Sequence, residues 1–147
     1  MHECYDVLLA HIALVPSAVL TAELAGFGRA TIREQLSHVM INEFAWIQVL
    51  QGLPILDAVP DDLTTITDLL NAKQKAFEGT SAYVDSMTDQ AFNSDLERYS
   101  DEWIGPRRTP AYILQHVVTH AFHHKGQIVA MLRMLGHPAP DTDMQRG

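Results

Sequence analysis

The sequence predicts an all-α fold, a four-helix bundle with a crossover connection. Four long segments repeat apolar residues at helical spacing, capping residues or prolines mark most of their ends, and no segment shows strong strand alternation. The longer connectors leave room for a link that crosses the bundle. We expect a single domain over residues 1–147, because compact domains commonly hold about 100–150 residues.

The first helix is predicted over residues 2–15, where apolar side chains recur every three or four positions. Pro16 ends this helix, because a proline lacks the N–H and clashes with the preceding turn. It opens a short separate turn that runs through Leu24. A loop at Gly26-Phe27-Gly28 follows.

The second helix has clear signals at both ends. Thr31 and Glu34 form a T-x-x-E capping box, in which each side chain satisfies a backbone N–H of the first turn. The helix is expected to run to about Gln51. Gly52 and Pro54 end it, because glycine adopts the left-handed conformation and proline cannot continue the helix.

The third helix is predicted to follow a connector over residues 52–60. Asp61 and Asp62 would then lie at the positive end of its dipole, and the helix would end near Ser86. Its expected buried stripe is Leu63, Ile66, Leu70, Phe77 and Val84.

The remaining chain contains a polar stretch and then the fourth helix. Residues 87–108 are weakly patterned, and the alternation in Leu96–Trp103 is compatible with a short hairpin. Thr109 as N-cap and Pro110 at the first helical position open the fourth helix, which Gly136 closes.

Charge and composition restrict the partners. The chain has 18 acidic and 10 basic side chains and a net charge of −8, so its surface repels phosphate backbones and anionic lipid. We therefore expect no nucleic-acid or membrane partner and a small-molecule substrate instead. No apolar stretch approaches the ~20 residues of a membrane helix, and neither a signal peptide nor an internal disulfide is evident, so a cytoplasmic location is expected.

Histidines are concentrated in the fourth helix, which carries four of the eight within residues 116–124. His120 and His124 share a face with the apolar residues Val117, Ile128 and Met131, whereas His116 and His123 fall on a neighbouring face. Two imidazoles four residues apart on one face can reach the same metal ion. A single inward histidine, by contrast, is more often a hydrogen-bonded core residue.

A catalytic metal site commonly uses three protein ligands and keeps a position open. His38, on the inward face of the second helix, is the first candidate for the third ligand, and His11 is the alternative. His2 and His137 lie near the chain ends and are expected to be solvated.

Two segments resemble the DinB-like metalloproteins. His38 begins an H-x4-E-x2-W stretch with Glu43 and Trp46, and residues 113–144 contain a histidine pair, then Lys-Gly-Gln, an apolar run, Leu-Gly, prolines and an Asp. The resemblance implies the family's four-helix bundle, often a homodimer, with His38, His120 and His124 as the three metal ligands. It also favours Glu43 over Glu34 as a catalytic group.

Two departures from the family pattern stand in the fourth helix. Lys125 replaces a common arginine, and Ala121 stands where some members carry glutamate. The H-E-x-x-H general base of zincin peptidases is therefore absent.

Better-understood relatives include metal-dependent transferases and isomerases that use low-molecular-weight thiols. The resemblance therefore implies a metal-dependent enzyme of the thiol S-transferase type, in which the metal stabilises the thiolate. Imidazole ligands suit zinc or nickel, and also iron. The alternative is a non-catalytic protein that binds or senses a metal or a thiol.

Overall fold

A computed structural model describes residues 1–53, 63–96 and 109–144 of the chain, and these residues form helices and no strand. Four long helices carry the fold, and two short ones lie between them in sequence. Their bounds are α1 His2–Ile12, α2 Ser17–Thr21, α3 Ile32–Gln51, α4 Ile66–Asp85, α5 Asp89–Phe92 and α6 Pro110–Met134. The all-α prediction is confirmed.

The ends of α3 follow the sequence signals. The Glu34 N–H donates to the Thr31 hydroxyl at 3.1 Å, and the Thr31 N–H donates to the Glu34 carboxylate at 2.9 Å. Gly52 ends the helix with a left-handed φ of 70°, a conformation that costs glycine little because it has no Cβ. The predicted capping box and C-terminal glycine are therefore confirmed.

The ends of α6 are also as predicted. The Thr109 hydroxyl accepts a hydrogen bond from the Tyr112 N–H at 3.3 Å, and Pro110 occupies the first turn. Gly136 follows the helix with a φ of 82°. These two signals determine where the helix that carries the histidine cluster begins and ends.

The first segment divides at Pro16 as expected. The first helix ends at Ile12, earlier than the predicted Val15, and α2 forms the separate short helix after the proline. The short helix α5 was not predicted. The possible hairpin of Leu96–Trp103 falls almost wholly on residues outside the described ranges.

The prediction for the start of the third helix was wrong. Helix α4 begins at Ile66 with Thr65 as N-cap, so Asp61 and Asp62, which lie outside the described residues, do not occupy its first turn. Thr65 and Asp68 form a reciprocal capping box, with the Asp68 N–H donating to the Thr65 hydroxyl at 3.1 Å. This box satisfies two backbone donors directly, which carboxylates several residues upstream cannot do.

The predicted buried stripe of α4 was also wrong beyond Ile66. Leu70, Phe77 and Val84 are about two-fifths exposed. Leu69, Ala76 and Tyr83 are buried instead, each one position before a residue of the predicted stripe. The fourth buried residue of the helix is Lys73, which lies between Leu69 and Ala76. The physical reason is packing against α3, where the Thr80 hydroxyl donates to Glu43 and Tyr83 joins the second apolar cluster; Lys73 lies on this face and pairs with Asp6 of α1 at 2.6 Å.

The contacts between helices establish their directions. Near the start of α3, His38 lines one cavity with Thr64, which just precedes α4. Further along both helices, Glu43 accepts a hydrogen bond from Thr80, and near their ends Leu50 and Tyr83 belong to one apolar cluster. Helices α3 and α4 are therefore parallel. Two consecutive parallel helices require a link that returns along the bundle, so the predicted crossover connection lies between α3 and α4.

The other two long helices run opposite to this pair. Gln35 near the start of α3 bonds Gln127 near the end of α6, so these helices are antiparallel. Helix α1 is antiparallel to α4, because the His2 ring contacts Phe77 whereas Ile12 lies by Ile66.

Helix α3 packs against both α4 and α6 and contributes to two apolar clusters. Leu36 and Ile128 belong to the first cluster, and Trp46 and Val117 belong to the second. His120 and His124 lie between Val117 and Ile128 on α6, so the histidines project where the two clusters meet. Among the helices of the described ranges, none has the length and apolar character needed to cross a membrane.

Candidate metal centre

Three histidines converge between α3 and α6. His38 extends from α3, and His120 and His124 extend from successive turns of α6. The Nε2 atoms of His38 and His120 are 3.1 Å apart, and those of His120 and His124 are 3.2 Å apart. One potential ligand atom from each side chain lies within 4.8 Å of the other two. The structure thus brings together the three residues that the sequence predicted as ligands.

The spacing of these nitrogens fits a shared metal ion. Bonds of about 2.0–2.1 Å to one ion, at angles between octahedral and tetrahedral, would separate neighbouring nitrogens by about 2.9–3.4 Å. Both measured Nε2 distances fall within this range. The helices thus hold His120 at a separation from each of the other two rings that coordination to one ion requires.

The protonation state also suits coordination. The pKa of His38 is lowered to about 4, chiefly by burial and further by the charges of Arg29 and His120. The pKa values of His120 and His124 are also lowered to about 4, again with burial as the largest cause. All three rings are therefore neutral at pH 7, and a neutral imidazole has the lone pair that a metal needs.

Gln35 orients one of the three rings. It is fully buried, and its carbonyl Oε1 accepts a hydrogen bond from Nδ1 of His124. Its amide Nε2 donates to the Arg29 carbonyl at 2.9 Å and to Gln127 Oε1 at 2.7 Å. Because the amide group is committed to two acceptors, Oε1 faces His124, Nδ1 carries the hydrogen and Nε2 is left free to bind a metal.

The sequence analysis missed Gln35. One signal could have found it, because Gln35 lies one turn before His38 and so shares its side of α3. A polar side chain at an inward helix position needs a buried hydrogen-bond partner. The sequence analysis instead considered Glu34, the neighbouring residue of the capping box.

The other histidines lie outside the converging group. His116 and His123 are exposed, as expected for the neighbouring face of α6. His116 packs edge-on against Trp46, and His123 contacts Gln127 through Nε2 at 2.8 Å. His11, the alternative third ligand, instead approaches the His137 carbonyl at 3.3 Å.

The prediction that His2 is solvated was wrong. Its side chain is only 16% exposed, and Nε2 lies 3.0 Å from the Glu43 carboxylate. Glu43 is 3% exposed and accepts a hydrogen bond from the Thr80 hydroxyl at 2.6 Å. Its described partners thus come from α1 and α4 and do not include the three converging histidines. A catalytic role for Glu43 stays a prediction.

Lys125 contacts two residues of the segment after α6, the Thr142 carbonyl and, at 3.9 Å, the carboxylate of Asp143. Its side chain is buried, and its ammonium donates to the Thr142 carbonyl at 2.6 Å. The ammonium also lies 4.8 Å from the centre of the Phe122 ring. Lys125 therefore anchors the segment after α6 to the helix, on the turn that begins with His124.

Comparison with known proteins identifies the family. The sequence model of the DinB family matches residues 3–147. Protein DinB of Bacillus subtilis strain 168 is 26% identical over 119 residues, which cover 77% of this chain and 69% of that protein.

Two solved structures share the fold. A DinB-like protein from Bacillus cereus superposes with a TM-score of 0.70 at 17% identity, covering 95% of this chain and 90% of that one. A DinB-like protein from Bacillus subtilis gives a TM-score of 0.68 at 17% identity, with 97% and 94% covered. The match of the family model to nearly the whole sequence shows that the chain belongs to the DinB family.

Proposed function

We propose that this protein binds one divalent transition metal through His38, His120 and His124 and catalyses transfer reactions of a low-molecular-weight thiol. The observation that carries the proposal is the convergence of three Nε2 atoms from two helices, at separations of 3.1 and 3.2 Å. If all three rings present unprotonated Nε2 atoms, as the Gln35 bond favours for His124, a metal ion would satisfy three lone pairs that face one another.

The residues of the chain have separate roles in this proposal. His38, His120 and His124 would hold the ion, and Gln35 fixes the ring orientation of His124. When bound, the ion supplies Lewis acidity that stabilises a thiolate, the nucleophilic form of a thiol, at neutral pH. Three protein ligands leave coordination space for a small molecule.

The overall reaction that we propose is conjugation. The thiol releases its proton to water and its sulfur forms a bond to an electrophilic carbon. The bond between that carbon and the leaving group breaks, and the leaving group departs into solvent with the bonding electrons. The donor set of three imidazoles suits zinc or nickel, and iron is compatible with it as well.

Elemental analysis of purified protein tests the metal site. Wild type reconstituted with zinc, nickel or iron and then desalted should retain one ion per chain. His38→Ala, His120→Ala and His124→Ala should each lose it, because two imidazoles alone bind far more weakly. His116→Ala and His123→Ala are matched controls from the same helix and should keep the ion. If the control variants lose the metal and the three ligand variants retain it, the assignment is wrong.

Turnover then separates an enzyme from a binding protein. Metal-loaded wild type should accelerate the conjugation of monochlorobimane with at least one of cysteine, glutathione and coenzyme A, relative to metal-stripped protein. The His120→Ala variant should show no acceleration. Thiol binding to the loaded protein without product would favour the alternative, a non-catalytic metal- or thiol-binding protein.

A further inference from the structure

A cavity of about 390 Å³ adjoins the three histidines. His38 forms part of its wall, so the cavity and the candidate metal centre share a side chain. Ile41 and Leu63 supply apolar surface, and Ser37 and Thr64 supply hydroxyl groups. Its volume and mixed lining are those of a small-molecule site.

Two arginines give this cavity a positive wall. Arg29 and Arg33 both line it, and neither forms an ion pair with another residue in the described parts of the chain. Arg29 also lies close enough to influence all three histidines electrostatically. The protein as a whole has a net charge of −8, but this wall is positively charged. A positive wall attracts anions to the cavity.

One carboxylate, that of Glu34, lines the same cavity. Its oxygen already accepts hydrogen bonds from the N–H and the hydroxyl of Thr31, at 2.9 and 3.0 Å. Two guanidinium groups and one carboxylate leave a net charge of +1 in the wall, from 2 − 1. The wall is therefore cationic even before a metal ion adds its own charge, and two guanidinium groups suit the carboxylate of a small thiol.

We propose that the cavity beside His38 binds the carboxylate end of a small thiol substrate, with Arg29 and Arg33 as its partners. This inference rests on the proposed function, because the sulfur would then lie toward the three histidines. A guanidinium group matches a carboxylate with two parallel N–H donors, and the pair is stronger where water is partly excluded.

Spectroscopy of cobalt-substituted protein tests this substrate class by binding alone. Thiolate coordination to cobalt produces a near-ultraviolet absorption band that can be titrated. The probes are mercaptocarboxylates from mercaptoacetate to mercaptohexanoate, each compared with the alcohol of equal chain length. At least one carboxylate should bind about tenfold more tightly than its alcohol, the size of effect expected for a charge-assisted hydrogen bond.

Variants assign the preference to the arginines. The Arg29→Gln/Arg33→Gln protein should lose the carboxylate preference and keep the wild-type affinity for the alcohols, which shows that it is folded and loaded. Arg133→Gln, at an exposed arginine near the end of α6, is the matched control and should retain the preference.

The outcomes separate the two proposals. A spectrum that no thiol perturbs would overturn both the thiol chemistry and the carboxylate site. Thiol bands with equal affinities for acids and alcohols, or a preference that survives in the double variant, would overturn the carboxylate site and leave the thiol chemistry standing.

Discussion

The hydrogen bond between Gln35 and His124 determines which nitrogen of the ring faces the other two histidines. Imidazole has two nitrogens, and only the one that carries no hydrogen can bind a metal. Since Gln35 Oε1 accepts from Nδ1, the free lone pair is on Nε2, the atom that lies 3.2 Å from His120 Nε2. Gln35 is in turn held by Gln127 and by the Arg29 carbonyl.

Replacing Gln35 should weaken metal binding without removing a ligand. We expect Gln35→Leu to lower metal affinity by about 10- to 100-fold, the usual cost of losing a group that orients a histidine ligand. Competition with a chromophoric chelator measures the affinity. Gln48→Leu is a matched control, because Gln48 is also a buried glutamine of α3, with no partner for Oε1 among the described residues. Equal affinities for wild type and Gln35→Leu would contradict this role.

The residues of the site differ in how far the sequence predicts them. His120 and His124 are predictable because their four-residue spacing and apolar neighbours define one helix face. The inward face of the second helix made His38 the first candidate for the third ligand and left His11 as the alternative, and the family resemblance then favoured His38. Gln35 and Arg29 escaped prediction because their roles depend on contacts across the bundle.

At the scale of the helix, the start of α4 depends on Thr65 and Asp68. The Asp68 carboxylate accepts from the Thr65 N–H at 2.9 Å and from its hydroxyl at 2.7 Å, and these hydrogen bonds lower its pKa below the ordinary value. The carboxylate therefore stays charged at neutral pH. Its contribution is lost as the pH falls through that lowered pKa, because a protonated carboxyl accepts these bonds poorly.

Removing this cap should destabilise the protein modestly. Thr65→Ala is expected to cost about 1 kcal/mol of unfolding free energy at pH 7, because the Asp68 N–H loses its acceptor. Urea denaturation followed by circular dichroism measures the change. Thr67→Ala, an exposed threonine two residues further on, should be neutral or slightly stabilising. A Thr65→Ala protein as stable as wild type would show that another group caps α4.

The buried Lys73 depends on its partner in α1. Its side chain is 7% exposed, while that of Asp6 is 56% exposed, so only the lysine is deeply desolvated. Asp6→Ala should therefore destabilise the fold by about 1–3 kcal/mol, because it leaves a buried charge unpaired. Adding Lys73→Met should recover much of this loss, as shown by the urea midpoint of the double variant. A double variant less stable than Asp6→Ala would contradict the explanation.

Two competing heptad sets explain why the face of α4 was predicted wrongly. Leu70, Phe77 and Val84 repeat every seven residues, and so do Leu69, Ala76 and Tyr83. Periodicity supports either set, and apolar size favoured the first. Packing of α4 against α3 selects the second set, which shares its face with the inward Lys73, and the sequence alone does not reveal which helix packs there.

For the whole molecule, the order of helix directions decides where the site can form. Helices α3 and α6 are antiparallel neighbours, which aligns the first half of α3 with the middle of α6 and brings His38 to His120 and His124. The sequence predicted the number of long helices and left room for a crossover. The position of that crossover, between α3 and α4, follows only from contacts between helices.

The exposed stripe of Leu70, Phe77 and Val84 is the surface through which we expect the predicted homodimer to form. Its heptad spacing would let two copies of α4 pack side by side, and the three side chains are 39–42% exposed.

The Phe77→Glu substitution should convert a dimer to a monomer, because the two copies would bring two carboxylates into an apolar contact. Light scattering after size-exclusion chromatography measures the mass. Leu14→Glu, at a residue that is 85% exposed outside this stripe, should leave the mass unchanged. A monomeric wild type, or a Phe77→Glu protein that still dimerises, would exclude this surface.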